Sequence, residues 1–195
     1  MRWKMAEQLQ ERVLPDSVIS EWHPSKATIR AWSLLSLPIV VVAFFAYMLI
    51  AIHGETHAEG SIGLGQILLV VALSLGMFCV HEAVHGVAMF AFGGRPEFGV
   101  LKNDGFPVGF YTTTPGHRFN RRQYLVAILA PLAVLAPLGV PACWLPIGGY
   151  LVIPFAVQLA GCIGDVAIAW HVLGTPSDAV CEDLRDGTRF WKAAA

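Results

Sequence analysis

The sequence predicts an all-α integral membrane protein of four transmembrane helices, with a small β-hairpin on the cytoplasmic side between helices 2 and 3. Three observations carry that prediction. Of 195 residues, 55% are hydrophobic and only 14% charged, with a mean hydropathy of +0.59; an ordinary soluble domain carries roughly a quarter charged residues. Four long apolar runs divide the chain, and its basic residues are confined to the segments between and beyond them. This composition excludes intrinsic disorder. A balance of 13 Lys+Arg against 14 Asp+Glu, net charge −1, argues against a nucleic-acid partner.

Residues 1–30 form an arm that mixes Trp3, Leu9, Val13, Leu14 and Trp22 with charges. It reads either as a partly ordered cytoplasmic segment or as one lying along the membrane surface. Some 30 mixed polar residues before the first apolar run are unlike a cleavable signal peptide. The core covers 31–173. Its first span, 31–52, carries no charge, and at 1.5 Å per residue it reaches about 33 Å, enough for a hydrocarbon core. The second, 62–92, is interrupted only by His81, Glu82 and His85. The third, 124–145, is bent by Pro131, Pro137 and Pro141, and the fourth, 150–173, holds a single acid, Asp165. Residues 174–195 follow as a C-terminal tail.

All 13 basic residues fall before span 1, between spans 2 and 3, or after span 4. The positive-inside rule then puts both termini and the 2–3 loop in the cytoplasm, in a cell inner or plasma membrane. Within that loop, 97–114 alternates Phe98, Val100, Phe106, Val108 and Phe110 around Asn103-Asp104-Gly105, the signature of a hairpin. Asn120, with Gln123 three residues on, reads as the cap of helix 3. The four cysteines, Cys79, Cys143, Cys162 and Cys181, show no disulfide pattern and are expected as free thiols.

His81-Glu82-Ala83-Val84-His85 is an H-E-x-x-H motif. On a helix, positions i and i+4 share a face, so both imidazoles reach one metal ion. Glu82 points about 100° away and meets a water rather than the metal. A charge in mid-span costs roughly 2.5–3.5 kcal/mol, which sets a purposeful site against polar residues merely packed together.

Hydrolytic zinc needs a third protein ligand. Helices 2 and 4 run the same way, and counting back from their cytoplasmic ends brings Asp165 to within about one turn of both histidines. A carboxylate buried there needs a cation. Cys162, one turn away, is the rival ligand. Gly161 and Ala169 beside Asp165 let the helices approach closely. His171, His117, Asn120 and the outer-loop His53, Glu55, His57 and Glu59 read first as interfacial, capping or solvated residues.

With these residues in hand, the chain resembles the DUF3267 group of zincin peptidases, related to intramembrane metalloproteases of the site-2 protease type. The matching positions are His81, Glu82 and His85, then Phe92-Gly93, and Gly164-Asp165. The resemblance implies Zn2+ on His81, His85 and Asp165, with Glu82 activating water. It further implies a substrate-presenting β segment at about 95–115, where Phe106, Val108 and Phe110, with Asn120 beyond, are the substrate-binding candidates. Site-2 proteases carry a glycine after the aspartate; here Gly164 precedes Asp165 and Val166 follows it. The expected function is zinc-dependent hydrolysis of a membrane protein or peptide within the bilayer. The rivals are a metal-ion transporter and a catalytically silent relative that binds membrane proteins.

Overall fold

The computed structural model describes residues 18–54, 63–103 and 106–192, and the backbone alone at 102–103 and 106–108. Expectations placed on Trp3, Leu9, Val13, Leu14, Glu55, His57, Glu59, Asp104 and Gly105, and on the side chains of Phe106 and Val108, lie outside the described residues.

Strand β1 (Val18–Trp22) precedes helix α1 (Lys26–His53), which Ser25 opens by accepting the Thr28 N–H at 3.1 Å. Helix α2 (Leu64–Ala91) carries the H-E-x-x-H motif. Strands β2 (Glu97–Asn103), β3 (Phe106–Thr113) and β4 (Arg118–Asn120) lead into α3 (Arg121–Ala142). Helices α4 (Gly148–Gly161) and α5 (Ile163–Leu173) complete the fourth span, and β5 (Val180–Leu184) and β6 (Gly187–Trp191) follow.

Four helical stretches, 26–53, 64–91, 121–142 and 148–173, are long and apolar enough to cross a membrane. Their outer faces are apolar and open, with Leu34 67%, Val42 69% and Val87 69% exposed, as lipid-facing side chains must be. Helix α1 packs on α4 through Ala43, Tyr47 and Ala51 against Val152 and Phe155. The Tyr47 hydroxyl donates to the Ala136 carbonyl of α3 at 2.9 Å. Gly139 makes that approach possible, since a Cβ there would come within 2.6 Å of the Tyr47 ring.

Three expectations need correction. First, the fourth span is not one helix. It breaks at Cys162, where the Sγ competes for the Gln158 carbonyl of the preceding turn at 3.5 Å, and Asp165 falls in the first turn of α5. Second, all-α is too narrow: the chain is 64% helical but also carries two sheets. The expected 2–3 hairpin is there, as β2 and β3 pair antiparallel from Glu97–Thr113 to Asn103–Phe106. A second, four-stranded sheet of order β1-β6-β5-β4 was not expected. Third, the segments read as arm and tail supply three of its strands. Arg185-Asp186-Gly187 turns the β5–β6 hairpin, and Phe119, Cys181 and Phe190 pack beneath it against Tyr124 and Val172 of the bundle.

That sheet also fixes topology. A strand before span 1, one between spans 2 and 3 and two after span 4 cannot pair across a bilayer, so all lie on one side. None of the four cysteines is joined in a disulfide, as expected.

Candidate metal centre

His81 and His85 lie on one face of α2, 8% and 7% exposed. Asp165 of α5 reaches the same point. The His81 and His85 Nε2 atoms are 3.2 Å apart, His81 Nε2 is 3.4 Å from Asp165 Oδ2, and His85 Nε2 is 3.4 Å from Asp165 Oδ1. Among the described residues this is the group able to hold a metal ion. Cys162 is not part of it, because its thiol is engaged with the Gln158 side chain and backbone.

The arrangement fits a zinc ion on two counts. Donors about 2.0–2.1 Å from a tetrahedral zinc stand about 3.3 Å from one another, the spacing observed here. Asp165 Oδ2 is also buried without a hydrogen-bond partner among the described residues, which an apolar bundle does not tolerate unless a cation joins it.

Helix α3 sets the tautomer of His85. Its Nδ1 lies 2.9 Å from the Ala127 carbonyl. A carbonyl only accepts, so Nδ1–H donates and Nε2 presents its lone pair. Ala127 has this carbonyl to offer because residue i+4 is Pro131, which lacks the N–H that would have taken it. The proline read from sequence as a bend therefore frees the group that orients a ligand 42 positions away.

Glu82 is half-buried beside the histidines and lines the cavities that meet at the triad. The hairpin is fastened to this turn of α2, since Thr112 Oγ1 of β3 donates to the Glu82 carbonyl at 3.0 Å. Gly86 admits β2, because a Cβ there would stand 2.6 Å from the Phe98 ring. Phe110 of β3 lines both cavities.

Other candidates go elsewhere. Asn120 is used as a cap: its Oδ1 accepts the Gln123 N–H at 2.9 Å, and Gln123 Oε1 accepts the Asn120 N–H at 3.0 Å. It lines neither of the two cavities at the triad. His171 stacks on Trp22, centroids 4.6 Å apart, and His117 packs edge-on to Phe119. His53 ends α1.

Sequence reasoning passed over Asp183. This β5 carboxylate is 8% exposed and lines a cavity with Glu82, His85 and Asp165. Its Oδ1 accepts the Tyr124 hydroxyl at 2.7 Å, and Tyr124 lies 2.9 Å from Thr188 Oγ1. Thr113 Oγ1 donates to the Asp183 carbonyl, tying β3 to β5. Burial pushes the Asp183 carboxyl up to about 6. Asp186-Gly187 between two alternating runs was the signal that could have revealed this strand.

Residues 74–180 match the model of the DUF3267 family, described as "Putative zincin peptidase". The match spans the triad and Glu82 and stops before Asp183. No curated protein and no solved structure matches the chain.

Proposed function

This chain belongs to the DUF3267 family of zincin peptidases, and from that premise we propose that it is an intramembrane zinc metallopeptidase of the site-2 protease type. Its substrates are membrane-embedded proteins or peptides. The observation that carries the reading is the mutual 3.2–3.4 Å spacing of His81, His85 and Asp165 inside a membrane-spanning bundle, with Glu82 beside them on a cavity.

His81, His85 and Asp165 would hold the zinc ion, which when bound would supply Lewis acidity and a water of lowered pKa, toward about 7. Glu82 accepts the proton from the attacking water and delivers it to the leaving amine nitrogen. Asp165 opposes the positive charge with both oxygens, and Ala127 holds His85 in register. A helical substrate hides its carbonyls, so it must be drawn out before attack. Among the described residues β3 pairs with β2 alone, leaving an edge that would hold an extended segment, with Phe110 lining the cavities beside Glu82. The shared side of the termini is the cytoplasm, on the positive-inside rule, in an inner or plasma membrane.

The test is metal content and cleavage of a membrane-spanning peptide by detergent-purified protein. Glu82→Gln is expected to keep its zinc and lose about 10²–10⁴-fold in rate. Cleavage that survives this change overturns the mechanism. Zinc flux into liposomes without cleavage of any peptide replaces it with transport.

A further inference from the structure

Two cavities meet at the triad, and Glu82, Phe110 and Asp165 line both. Helix α2 runs toward the four-stranded sheet, so residues before His81 lie deeper in the membrane. The first cavity, about 510 Å³, is built there from Leu75, Phe78 and Gly161, with Val100 and Gly109 of the hairpin. Its chemistry is apolar. The second, about 600 Å³, lies toward the sheet and is walled by Trp22, Trp32, Tyr111 and the β5–β6 turn.

The second cavity holds several charged groups, and the structure pairs most of them. Asp165 faces the two histidines. Asp186 Oδ1 lies 3.5 Å from His23 Nδ1, and the Arg185 guanidinium sits over the Tyr111 ring at 5.0 Å. Glu82 serves the chemistry. Asp183 is left: Tyr124 occupies its Oδ1, while Oδ2 is buried with no partner among the described residues. A carboxylate in that position is costly until a charged donor reaches it.

We propose that this cavity seats a lysine or arginine that follows the apolar stretch of the substrate, with the Asp183 carboxylate as its counter-charge. The inference rests on the peptidase reading above and names the substrate class. A segment threaded through the triad places apolar residues in the first cavity and its sheet-side flank in the second. Membrane spans carry their Lys and Arg on the side where this chain carries its own. The substrate therefore brings a cation to the depth at which Asp183 waits. Asp183 lies beyond residue 180, outside the stretch matched to the family.

The experiment compares two synthetic spans, identical except for Lys or Gln at the sheet-side flank. The zinc-loaded protein sits in nanodiscs of zwitterionic lipid, which removes attraction to anionic headgroups. Binding is read by fluorescence anisotropy on Glu82→Gln, which holds peptide without cutting it, and kcat and KM are read on the wild type. The Lys peptide is expected to bind about tenfold tighter, with the difference in KM rather than kcat. Asp183→Asn is expected to bring the two peptides within about twofold. Equal binding of both peptides by protein with Asp183 intact, a comparison that needs no change at Asp183, overturns the proposal; so does a tenfold preference that survives Asp183→Asn. Cleavage without Lys preference sinks the seat and leaves the peptidase standing. Lys preference without cleavage does the reverse.

Discussion

Two buried carboxylates sit within reach of one cavity, and they are satisfied differently. Asp165, inside the membrane bundle, meets an imidazole at each oxygen, 3.4 Å away on both sides. Asp183, in the sheet, has one oxygen held by Tyr124; Oδ2 lacks a hydrogen-bond partner among the described residues in both acids, but only in Asp165 does an imidazole stand 3.4 Å from it. The first is arranged around a point all three donors share, which suits a resident ion. The second shares no such point: its unpartnered oxygen is enclosed in the wall of the sheet-side cavity. Burial alone does not say what an acid is for; the disposition of its neighbours does.

The largest expected effect separates the two at once. Asp165→Ala leaves two histidines and should weaken zinc binding by well over the roughly 10–100-fold seen for outer-shell changes, whereas Asp183→Asn should leave metal content intact. Metal analysis after dialysis decides it. If both variants lose zinc equally, the two acids form one site and the contrast fails.

The next effect is a pH dependence carried by Asp183. Its carboxyl ionises near 3.8 when unfolded, and burial raises that to about 6 when folded. Below about pH 4 it is neutral in both states and contributes no penalty. As pH rises through 4 to 6 the unfolded chain releases the proton first, and stability falls by about 3 kcal/mol in all. Thermal unfolding in detergent between pH 4 and 7.5 should show that decline in the wild type and lose it in Asp183→Asn.

Tyr124→Phe removes the donor at Asp183 Oδ1 and should cost about 1–3 kcal/mol of stability at neutral pH with zinc retained. Unchanged unfolding would mean the hydroxyl contributes nothing to holding that acid. The smallest effect tests how Asp165's partner is aimed. Pro131→Ala restores an N–H that competes for the Ala127 carbonyl, and a loss of about threefold to tenfold in zinc affinity is expected in a competition titration.

These contrasts also explain what could be read from the chain alone. Lipid tolerates neither bare backbone nor idle charge, so the four spans and the exceptions His81, Glu82, His85 and Asp165 stood out against an apolar background. The depth count that paired Asp165 with the histidines used only helical rise, and the three residues do meet. The same count did not see the break at Cys162, where the thiol and the Gln158 side chain meet in one turn. Asp183 sits among other polar residues, where one more acid means nothing until β4 and β6 flank its strand and bury it. Pro131 looked like a bend because the imidazole that uses its freed carbonyl belongs to another helix.

The sheet has a bearing on how the molecule is made. β1 is synthesised well before its partner β6; His23 and Asp186, at the ends of that pair, are separated by 163 positions. At about 5–20 residues per second, β1 waits roughly ten to thirty seconds for its neighbour. Asp165, the last residue of the triad to be made, precedes Asp183 by 18 positions, about one to four seconds at that rate. The candidate metal ligands and the wall bearing Asp183 are thus completed almost together, near the end of that wait.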